Sequence, residues 1–463
     1  MKFGGTSVAG AQAMRDVARL VEEALPRSPL VVLSAMAGVT NDLIAAAKAA
    51  ERGDQTTSRR LRKGLEEVHE LCGRELFEGA QPVGLAAELD GLFEELRVLL
   101  RGVYLLRELT PRNLDAIASL GERLSTRLFA SYMLQQGVDV RWIDAREILR
   151  TDARFGSARP QAGVLAALAA EHLAPHLAPG RALITQGFIG ATETGLTTTL
   201  GRGGSDYSAA LFGAALRVEE VQIWTDVEGI LTCDPRVVPT ARTIPTIAFA
   251  EAAELAAFGA KVLHPATIQP AVEAEIPVTV RHTRKPDGGF TTIQAEAGQR
   301  APVTALATRG PVTVMTVSTT RMFGESGFLA RLFDVFGRLE VSVDLVATAE
   351  VSVSLTVEPD APIERLVAEI ERFARVDVTT DRSIVAVVGG SFRSTVGITR
   401  RVFSALAEIP VEMISMGANE INLSLVVQRV VAPDVLRALH AEFFESCGFE
   451  ERGSEARGSG GAR

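Results

Sequence analysis

Two stretches in the C-terminal third of the chain repeat each other, and this repeat constrains the fold more than any other feature of the sequence. Residues 312–356 and residues 382–427 contain identities at a constant offset of 70 positions. The matched identities are Gly327 with Gly397, Arg331 with Arg401, Phe333 with Phe403, Val341 with Val411, Glu350 with Glu420 and Leu355 with Leu425. Identity that is sustained at one offset indicates a duplicated structural unit.

Each copy has the pattern of a strand, a helix that starts at a glycine, and two further strands. The pattern predicts two tandem α+β modules of the βαββ type, at 303–380 and 381–450. Residues 451–463 are rich in Gly, Ser and charge and carry no apolar anchor. We therefore expect this tail to be disordered.

Residues 1–283 follow a different pattern, in which short apolar strands alternate with segments of helical periodicity. This α/β alternation predicts a mostly parallel sheet covered by helices on both faces. Residues 284–302 lose the periodicity and collect Pro and Gly, which predicts a linker. Strands are predicted at 30–33, 138–143, 181–185, 221–224 and 277–281, and helices at 11–25, 41–52, 84–108, 112–136, 161–174, 204–216 and 249–259.

The net charge of the chain is −9, which disfavours nucleic acid or an anionic membrane as its main partner. An anionic substrate must then be held by a local cluster of cations. No apolar run reaches the ~18 residues of a membrane span, and no signal segment precedes the first motif, so we expect a cytoplasmic protein. Cys72, Cys233 and Cys447 form no CxxC pair, so neither a disulfide framework nor a protein metal site is predicted.

Lys2 is followed at once by Gly4 and Gly5, an arrangement suited to phosphate. Glycines let backbone N–H groups approach an oxyanion, and lysine supplies a compact positive charge. A Gly-Gly pair in a plain turn is the alternative. Three further polar clusters, at residues 34–41, 121–126 and 201–206, favour the phosphate interpretation.

The cluster from Ser34 to Thr40 directly follows a predicted strand and opens a helix, where N–H groups attract anions. A simple helix cap by Thr40, Asn41 or Asp42 is the alternative. Gly121 lies inside a predicted helix, at a cost of about 1 kcal/mol relative to Ala, so close approach of another segment or a ligand is expected. Its neighbour Glu122 could bind an amine or form a surface pair with Arg123.

The cluster at 201–206 surrounds Arg202 with glycines and continues through Ser205 and Asp206 into a predicted helix. A guanidinium and bare backbone donors at one point favour an anion site over a capped flexible loop. Thr225, Asp226 and Arg236 follow the strand at 221–224 and could hold a ribose, a base edge or phosphates, or form a turn. Lys261 ends an Ala-rich helix, where a cation also suits the helix dipole.

Together these motifs resemble aspartate kinase. The motifs are KFGGTSV at 2–8, SAMAGVTN at 34–41, GERLST at 121–126, GRGGSD at 201–206, WTDVEGI at 224–230, DPR at 234–236 and GAKVLHP at 259–265. The resemblance implies an amino-acid-kinase fold at 1–283 followed by two ACT domains. It also implies a monofunctional enzyme that transfers phosphate from ATP to L-aspartate, at the first step toward lysine, threonine and methionine.

The resemblance implies a role for each site residue. Lys2, Gly4 and Gly5 would hold the transferred phosphate, with Asp206 orienting Lys2. The aspartate pocket would consist of Ser34, Thr40, Glu122, Arg202 and Ser205. Lys2 and Gly5 would also contact the nucleotide, together with Thr225, Asp226, Leu231, Arg236 and Lys261. Mg²⁺ is expected to accompany the ATP phosphates.

The region around the first predicted ACT helix is similar to the lysine site of lysine-sensitive aspartate kinases. The implied effector residues are Met322, Gly327, Phe328, Leu329, Ser342, Val343 and Asp344. L-Lysine is the expected effector, with threonine, or lysine together with threonine, as the competing hypothesis. The resemblance further implies a homodimer or larger assembly through the ACT domains. Another amino-acid kinase and a non-catalytic amino-acid sensor are the alternative functions.

Overall fold

The computed structural model describes residues 1–259, 263, 265–296, 302–319, 326–390, 392, 395–417 and 419–445. The chain divides into two units. Unit 1 comprises Met1–Leu231 and Thr243–Gln299, and unit 2 comprises Thr232–Arg242 and Arg300–Arg463. Three expectations lie outside the described residues: the roles of Lys261 and Met322, and the disorder of the tail 451–463.

The strands of unit 1 lie close to the positions that the sequence predicts, with several short additions. They are β1 (Lys2–Phe3), β2 (Leu30–Leu33), β3 (Asp139–Trp142), β4 (Arg181–Gln186), β5 (Ile189–Ala191), β6 (Thr197–Thr199), β7 (Val221–Thr225), β8 (Thr246–Ala248), β9 (Val278–His282) and β10 (Thr291–Gln294).

The helices of unit 1 include a long one that the sequence reading missed, at Gln55–Leu76. The helices are α1 (Ala11–Ala24), α2 (Val39–Glu51), α3 (Gln55–Leu76), α4 (Leu85–Leu106), α5 (Pro111–Ala118), α6 (Leu120–Gln135), α7 (Ala145–Ile148), α8 (Ala162–His172), α9 (Gly204–Leu216), α10 (Phe249–Ala257) and α11 (Pro265–Glu273). The helix predicted at 112–136 is divided into α5 and α6 at Ser119, which places Gly121 in the first turn of α6.

The described residues of unit 1 form a sheet of eight strands in the order β3-β4-β2-β1-β7-β9-β10-β8. Neighbours from β3 to β9 are parallel, whereas β10 is antiparallel to β9. Phe3 belongs to the apolar core shared with α1 to α4 and α6. Because side chains alternate along a strand, Lys2 points to the opposite face, and there it meets a residue of α9. Helices therefore cover both faces at β1.

The linker prediction at 284–302 is wrong for part of its length. Residues 284–289 form the turn between β9 and β10, and Thr291–Gln294 is a strand inside the sheet. Ile293 is the single apolar residue of β10, and it is fully buried. One apolar residue cannot produce the alternation of apolar and polar residues by which a strand is predicted from sequence.

The described part of unit 2 forms an antiparallel sheet of six strands in the order β12-β13-β11-β14-β16-β15. Four helices pack against it within the same described ranges. The strands are β11 (Ala305–Ser318), β12 (Val346–Thr348), β13 (Ser352–Val357), β14 (Arg375–Val388), β15 (Met413–Met416) and β16 (Asn422–Gln428), and the helices are α12 (Phe328–Arg338), α13 (Ile363–Ile370), α14 (Ile398–Ala405) and α15 (Ala432–His440).

The two repeated modules share their long strands, so the predicted boundary between residues 380 and 381 falls inside β14. The second half of β14 pairs with β16, and it also pairs with residues 305–309 of β11. The second module therefore pairs with residues 305–309, which the sequence assigns to the first module. Residues 232–242 join unit 2 as well, since Leu306 N donates to Thr232 O at 2.8 Å and Cys233 and Val238 enter its core.

No helix within the described ranges combines the length and the apolar character needed to cross a membrane.

Candidate active site

A cleft of about 400 Å³ opens at the carboxyl ends of β1, β2 and β4. In the sheet, β1 lies between β2, which follows it in sequence, and β7, so the order of the strands reverses direction at β1. Ligands of open α/β sheets bind at such a point of reversal. The cleft brings together every residue that the sequence predicts for phosphate and aspartate: Lys2, Gly4, Gly5, Ser34, Thr40, Glu122, Arg202, Ser205 and Asp206.

Lys2 is held in place by Asp206, and the two side chains are mostly buried. Lys2 Nζ lies 2.7 Å from Asp206 Oδ1. Asp206 belongs to the first turn of α9, and Lys2 belongs to a strand that is hydrogen-bonded on both sides. The ammonium is therefore fixed at the base of the cleft, where a transferred phosphoryl group would need a positive charge.

Gly5 is required by the close approach of two backbone segments. A Cβ atom on Gly5 would lie 2.9 Å from the carbonyl oxygen of Ala35, and Gly5 O accepts a hydrogen bond from Ala37 N at 3.1 Å. An alanine at this position would push the strand end that carries Ser34 away from Lys2. A Cβ on Gly4 would lie 3.5 Å from Lys2 Nζ, so this glycine keeps the ammonium uncovered.

Two helices begin at the cleft. Gly38 precedes α2 and Gly203 precedes α9, with φ of +85° and +71° respectively. This left-handed backbone favours glycine. Helix N-termini present free N–H groups and the positive end of the helix dipole, so the cleft suits an anionic substrate.

Glu122 carries a buried carboxyl group, and its Oε2 atom has no hydrogen-bond partner among the described residues. Burial raises the pKa of this carboxyl to about 8, although hydrogen bonds from backbone N–H groups, including that of Ala35, oppose the shift. Ser125 anchors its helix, because Ser125 Oγ donates to Ser34 O at 2.8 Å. A buried carboxyl oxygen without a partner can accept a hydrogen bond from a ligand at this point of the cleft.

Gly121 allows α6 to approach the strand end that bears Ser34. A Cβ atom on Gly121 would lie 2.7 Å from the Cβ of Ala35. The expected close approach of another segment is therefore present, and it positions Glu122 against the cleft.

Arg202 is exposed and forms no ion pair with any residue in the described ranges. The loop that carries Arg202 follows Thr199. Asp115 binds the backbone there, because it accepts hydrogen bonds from Thr199 N at 2.8 Å and from Gly156 N at 2.9 Å. A fixed loop with a free guanidinium is suited to binding a carboxylate in forked geometry.

Phe188 also lines the cleft, and the sequence reading missed it. Its φ is +68°, a value that is rare outside glycine, and its backbone N donates to Ser208 Oγ at 2.9 Å. A Cβ on Gly204 would lie 2.6 Å from the Phe188 ring. The pairing of Phe188 with a glycine of the 201–206 cluster depends on tertiary structure, so no local signal could have identified it.

The predicted nucleotide-binding residues that the structure describes are divided between unit 1 and unit 2. Thr225 and Asp226 lie at the carboxyl end of β7, and Thr225 Oγ1 donates to Asp226 Oδ1 at 3.2 Å. Leu231 forms an isolated bridge with Thr243 in unit 1. Arg236 belongs to unit 2, where it is exposed and paired with Asp234 at 2.6 Å. The nucleotide roles of these residues remain predictions.

The predicted effector residues lie in unit 2. Gly327 has a φ of +93° and precedes α12, whose first residue, Phe328, is buried. Leu329 is 41% exposed and Ser342 is also exposed, so both are accessible to a ligand or another subunit. Val343 is half-buried.

Asp344, like Glu122, has one buried carboxyl oxygen without a hydrogen-bond partner among the described residues. Its Oδ1 atom lies 3.0 Å from Arg309 Nη1, while its Oδ2 atom is buried without a hydrogen-bond partner among the described residues. Burial raises the pKa of this carboxyl, although Arg309 opposes the shift. Arg309 also pairs with Glu358, so the guanidinium does not depend on Asp344 alone.

Comparisons with known proteins show which family the chain resembles along its length. Residues 1–282 match the sequence model of the amino acid kinase family, and residues 385–443 match that of an ACT domain. The chain is 41% identical over 453 residues to the lysine-sensitive aspartokinase 3 of Escherichia coli, a match that covers 96% of this chain and 98% of that protein.

Two solved structures of E. coli aspartokinase III are similar along the same length. The complex with lysine and aspartate, in the T-state, has a TM-score of 0.82 at 40% identity, covering 96% of this chain and 99% of that one. The complex with aspartate and ADP, in the R-state, has a TM-score of 0.79 at the same identity and coverage.

The chain therefore belongs to the amino acid kinase family. Within that family it is an aspartokinase, since its match to an enzyme of this kind extends over nearly the whole of both chains. The fold class and the enzymatic activity expected from the sequence are thereby confirmed.

Proposed function

We propose that the chain phosphorylates the side-chain carboxylate of L-aspartate with ATP in the cleft around Lys2, and that L-lysine inhibits it through the ACT region. The observation that carries the proposal is that two residues lining one cleft, Glu122 with its buried Oε2 atom and Arg202 with its exposed guanidinium, have no partner for these groups among the described residues. The pair matches the ammonium and the α-carboxylate of an amino acid, and Lys2 lies in the same cleft to receive phosphate.

The reaction requires charge neutralisation rather than proton transfer. The side-chain carboxylate of aspartate, with a reference pKa of about 3.9, is already ionised at neutral pH and needs no general base. The difficulty lies in bringing this anion against the γ-phosphoryl group of ATP. Lys2 and the N-termini of α2 and α9 supply fixed positive charge where negative charge accumulates, which is the recurrent basis of phosphoryl transfer.

ATP is the proposed phosphoryl donor, in keeping with the ADP-bound E. coli relative. Thr225, Asp226, Leu231, Arg236 and Lys261 are the residues proposed to hold it. Lys2, the glycine amides and the helix N-termini are hydrogen-bond donors, whereas Mg²⁺ prefers oxygen ligands. We therefore expect Mg²⁺ to enter as part of the ATP substrate, bound to its phosphates.

L-Lysine is the proposed effector, in keeping with the E. coli relative that was solved with lysine. Asp344 Oδ2 offers a buried acceptor for one of its ammonium groups. The homo-oligomer through the ACT modules and the cytoplasmic location both remain predictions.

The direct test is ATP-dependent product formation by the purified chain, with the acyl phosphate trapped as its hydroxamate. We expect turnover with L-aspartate and at least a hundredfold lower turnover with L-glutamate, because Arg202 and Glu122 fix the backbone end of the substrate. Preference for glutamate would instead indicate another amino-acid kinase. Binding of ATP and aspartate without turnover would indicate a sensor.

A further inference from the structure

A second cleft, of about 370 Å³, lies between α3 and α4, in unit 1. It is separate from the active site, and none of its lining residues belongs to the cleft around Lys2. Four arginines line it: Arg59 and Arg62 from α3, and Arg97 and Arg101 from α4. So many cations around one cavity are unexpected in a chain whose net charge is −9.

The positive charge of this α3–α4 cleft is only partly balanced. Arg62 is paired with Glu66, and Arg97 is paired with Glu94. Arg59 and Arg101 form no ion pair with any residue that the structure describes, and the residues that line the cleft include no carboxylate. Two unbalanced guanidinium groups therefore remain beside the cavity.

The remaining lining residues give the cleft a polar side and an apolar side. Ser58 is buried and contributes a hydroxyl group, while Leu100 and Tyr104 contribute apolar surface. The volume lies within the range of about 300–1,000 Å³ that is typical of small-molecule sites. A ligand that fills this cleft needs an anionic group to contact the arginines and a carbon skeleton to contact Leu100 and Tyr104.

A phosphate group fits the cations better than a carboxylate. It carries a double negative charge near neutral pH, and its several oxygens can accept hydrogen bonds from more than one guanidinium group at once. Two unbalanced arginines match that charge. We propose that the α3–α4 cleft binds a small phosphorylated molecule, with Arg59 and Arg101 as the residues that neutralise its phosphate.

The α3–α4 cleft lies close in sequence to the end of α2, the helix that begins at the cleft around Lys2. Residue Gln55, at the start of α3, lines the α3–α4 cleft, and α2 ends four residues earlier at Glu51. Thr40, in the first turn of α2, lines the cleft around Lys2. Helix α2, which is about 20 Å long, thus connects the cleft around Lys2 to the start of α3.

The test is calorimetric titration of the full-length protein with ribose 5-phosphate and, separately, with inorganic pyrophosphate. The protein is compared with the double variant Arg59→Ala/Arg101→Ala. The matched control is Arg60→Ala/Lys63→Ala, because both residues are exposed on α3, do not line the cleft and carry the same total charge. Any binding at the active site is common to all three proteins.

We expect the Arg59→Ala/Arg101→Ala variant to lose one binding event, or to bind the probe at that site at least tenfold more weakly. The Arg60→Ala/Lys63→Ala control should stay within twofold of the parent. Tighter binding of ribose 5-phosphate than of pyrophosphate would support an organic phosphate as ligand, and equal binding would support recognition of the phosphate alone. The proposal is overturned if neither probe binds outside the active site, or if both variants weaken binding equally.

Discussion

Lys2 and Asp206 form the ion pair on which phosphoryl transfer is proposed to depend. Lys2→Ala should lower kcat by about 10²–10³-fold, because a fixed charge is removed from the place where negative charge develops. The KM for aspartate should change little, since Lys2 is assigned to the phosphate. Steady-state kinetics at varied aspartate and saturating ATP measures both quantities.

Lys48→Ala is the matched control for this variant. Lys48 is exposed in the last turn of α2 and lies outside the cleft, so its loss should leave both constants unchanged. A Lys2→Ala enzyme with normal kcat and a much higher KM for aspartate would show that Lys2 binds substrate rather than phosphate.

Glu122 should make aspartate binding depend on pH. Its pKa is about 8, so the carboxyl is protonated in the free protein at pH 6 and must lose that proton to accept an ammonium group. The KM for aspartate should therefore fall as the pH rises from 6 toward 8, by up to tenfold per unit, and then level off.

Glu122→Gln tests the origin of this pH dependence. The amide cannot ionise, so the slope between pH 6 and 8 should disappear. The KM for aspartate should rise by about 10- to 100-fold, because a hydrogen bond to a charged group is lost. If the slope persists in Glu122→Gln, another group controls the binding of aspartate.

The sequence could predict many of the residues that line the cleft around Lys2, whose roles in the reaction remain predictions. Lys2, Glu122, Arg202 and Asp206 stand in short motifs whose chemistry is local, and the cleft contains all of them. Phe188 could not be predicted, because its close contact with Gly204 joins residues that are distant in the sequence.

Helix α6 depends on Gly121 for its distance from the strand end at Ala35. Gly121→Ala should destabilise unit 1 by about 1–3 kcal/mol, because the added methyl group would lie 2.7 Å from the Ala35 Cβ. The measurement is the midpoint of thermal unfolding, together with the KM for aspartate, which should rise as Glu122 is displaced.

Gly91→Ala, which also replaces a glycine within a helix, is the control for Gly121→Ala. Gly91 is exposed within α4, and nothing lies within 4 Å of an added Cβ, so alanine should stabilise the protein by up to about 1 kcal/mol. Equal effects of the two substitutions on the unfolding midpoint would mean that the packing at Gly121 is unimportant.

The sequence predicted the elements of unit 2 better than their pairing. The repeat at an offset of 70 residues indicated two modules, and Gly327 and Gly397 begin matching helices. The pairing of residues 305–309 with the end of β14 was not predicted, because it joins segments about 80 residues apart. Local periodicity carries no information about such partners.

At the scale of the whole molecule, the chain joins a catalytic unit to a regulatory one. Asp344→Ala should relieve inhibition by L-lysine by at least tenfold in the concentration required, because the buried Oδ2 acceptor is removed. Uninhibited turnover should remain nearly intact. Arg309 would keep its pairing with Glu358, so the substitution leaves no isolated buried charge.

Glu358→Ala provides the comparison for Asp344→Ala, since it removes a different carboxylate partner of Arg309. This variant should retain the lysine sensitivity of the parent enzyme, because Asp344 is preserved. Loss of sensitivity in both variants would assign the effect to Arg309, and unchanged sensitivity in Asp344→Ala would place the effector elsewhere.

The central claim is that this chain converts ATP and L-aspartate to 4-phospho-L-aspartate under the control of an amino acid. The most direct measurement is the initial rate of aspartyl hydroxamate formation by the parent protein over a range of L-lysine concentrations, with L-threonine as comparison. We predict turnover in the absence of effector and a progressive fall as lysine is added. Absence of turnover with both substrates bound, or turnover that neither amino acid changes, would contradict the account.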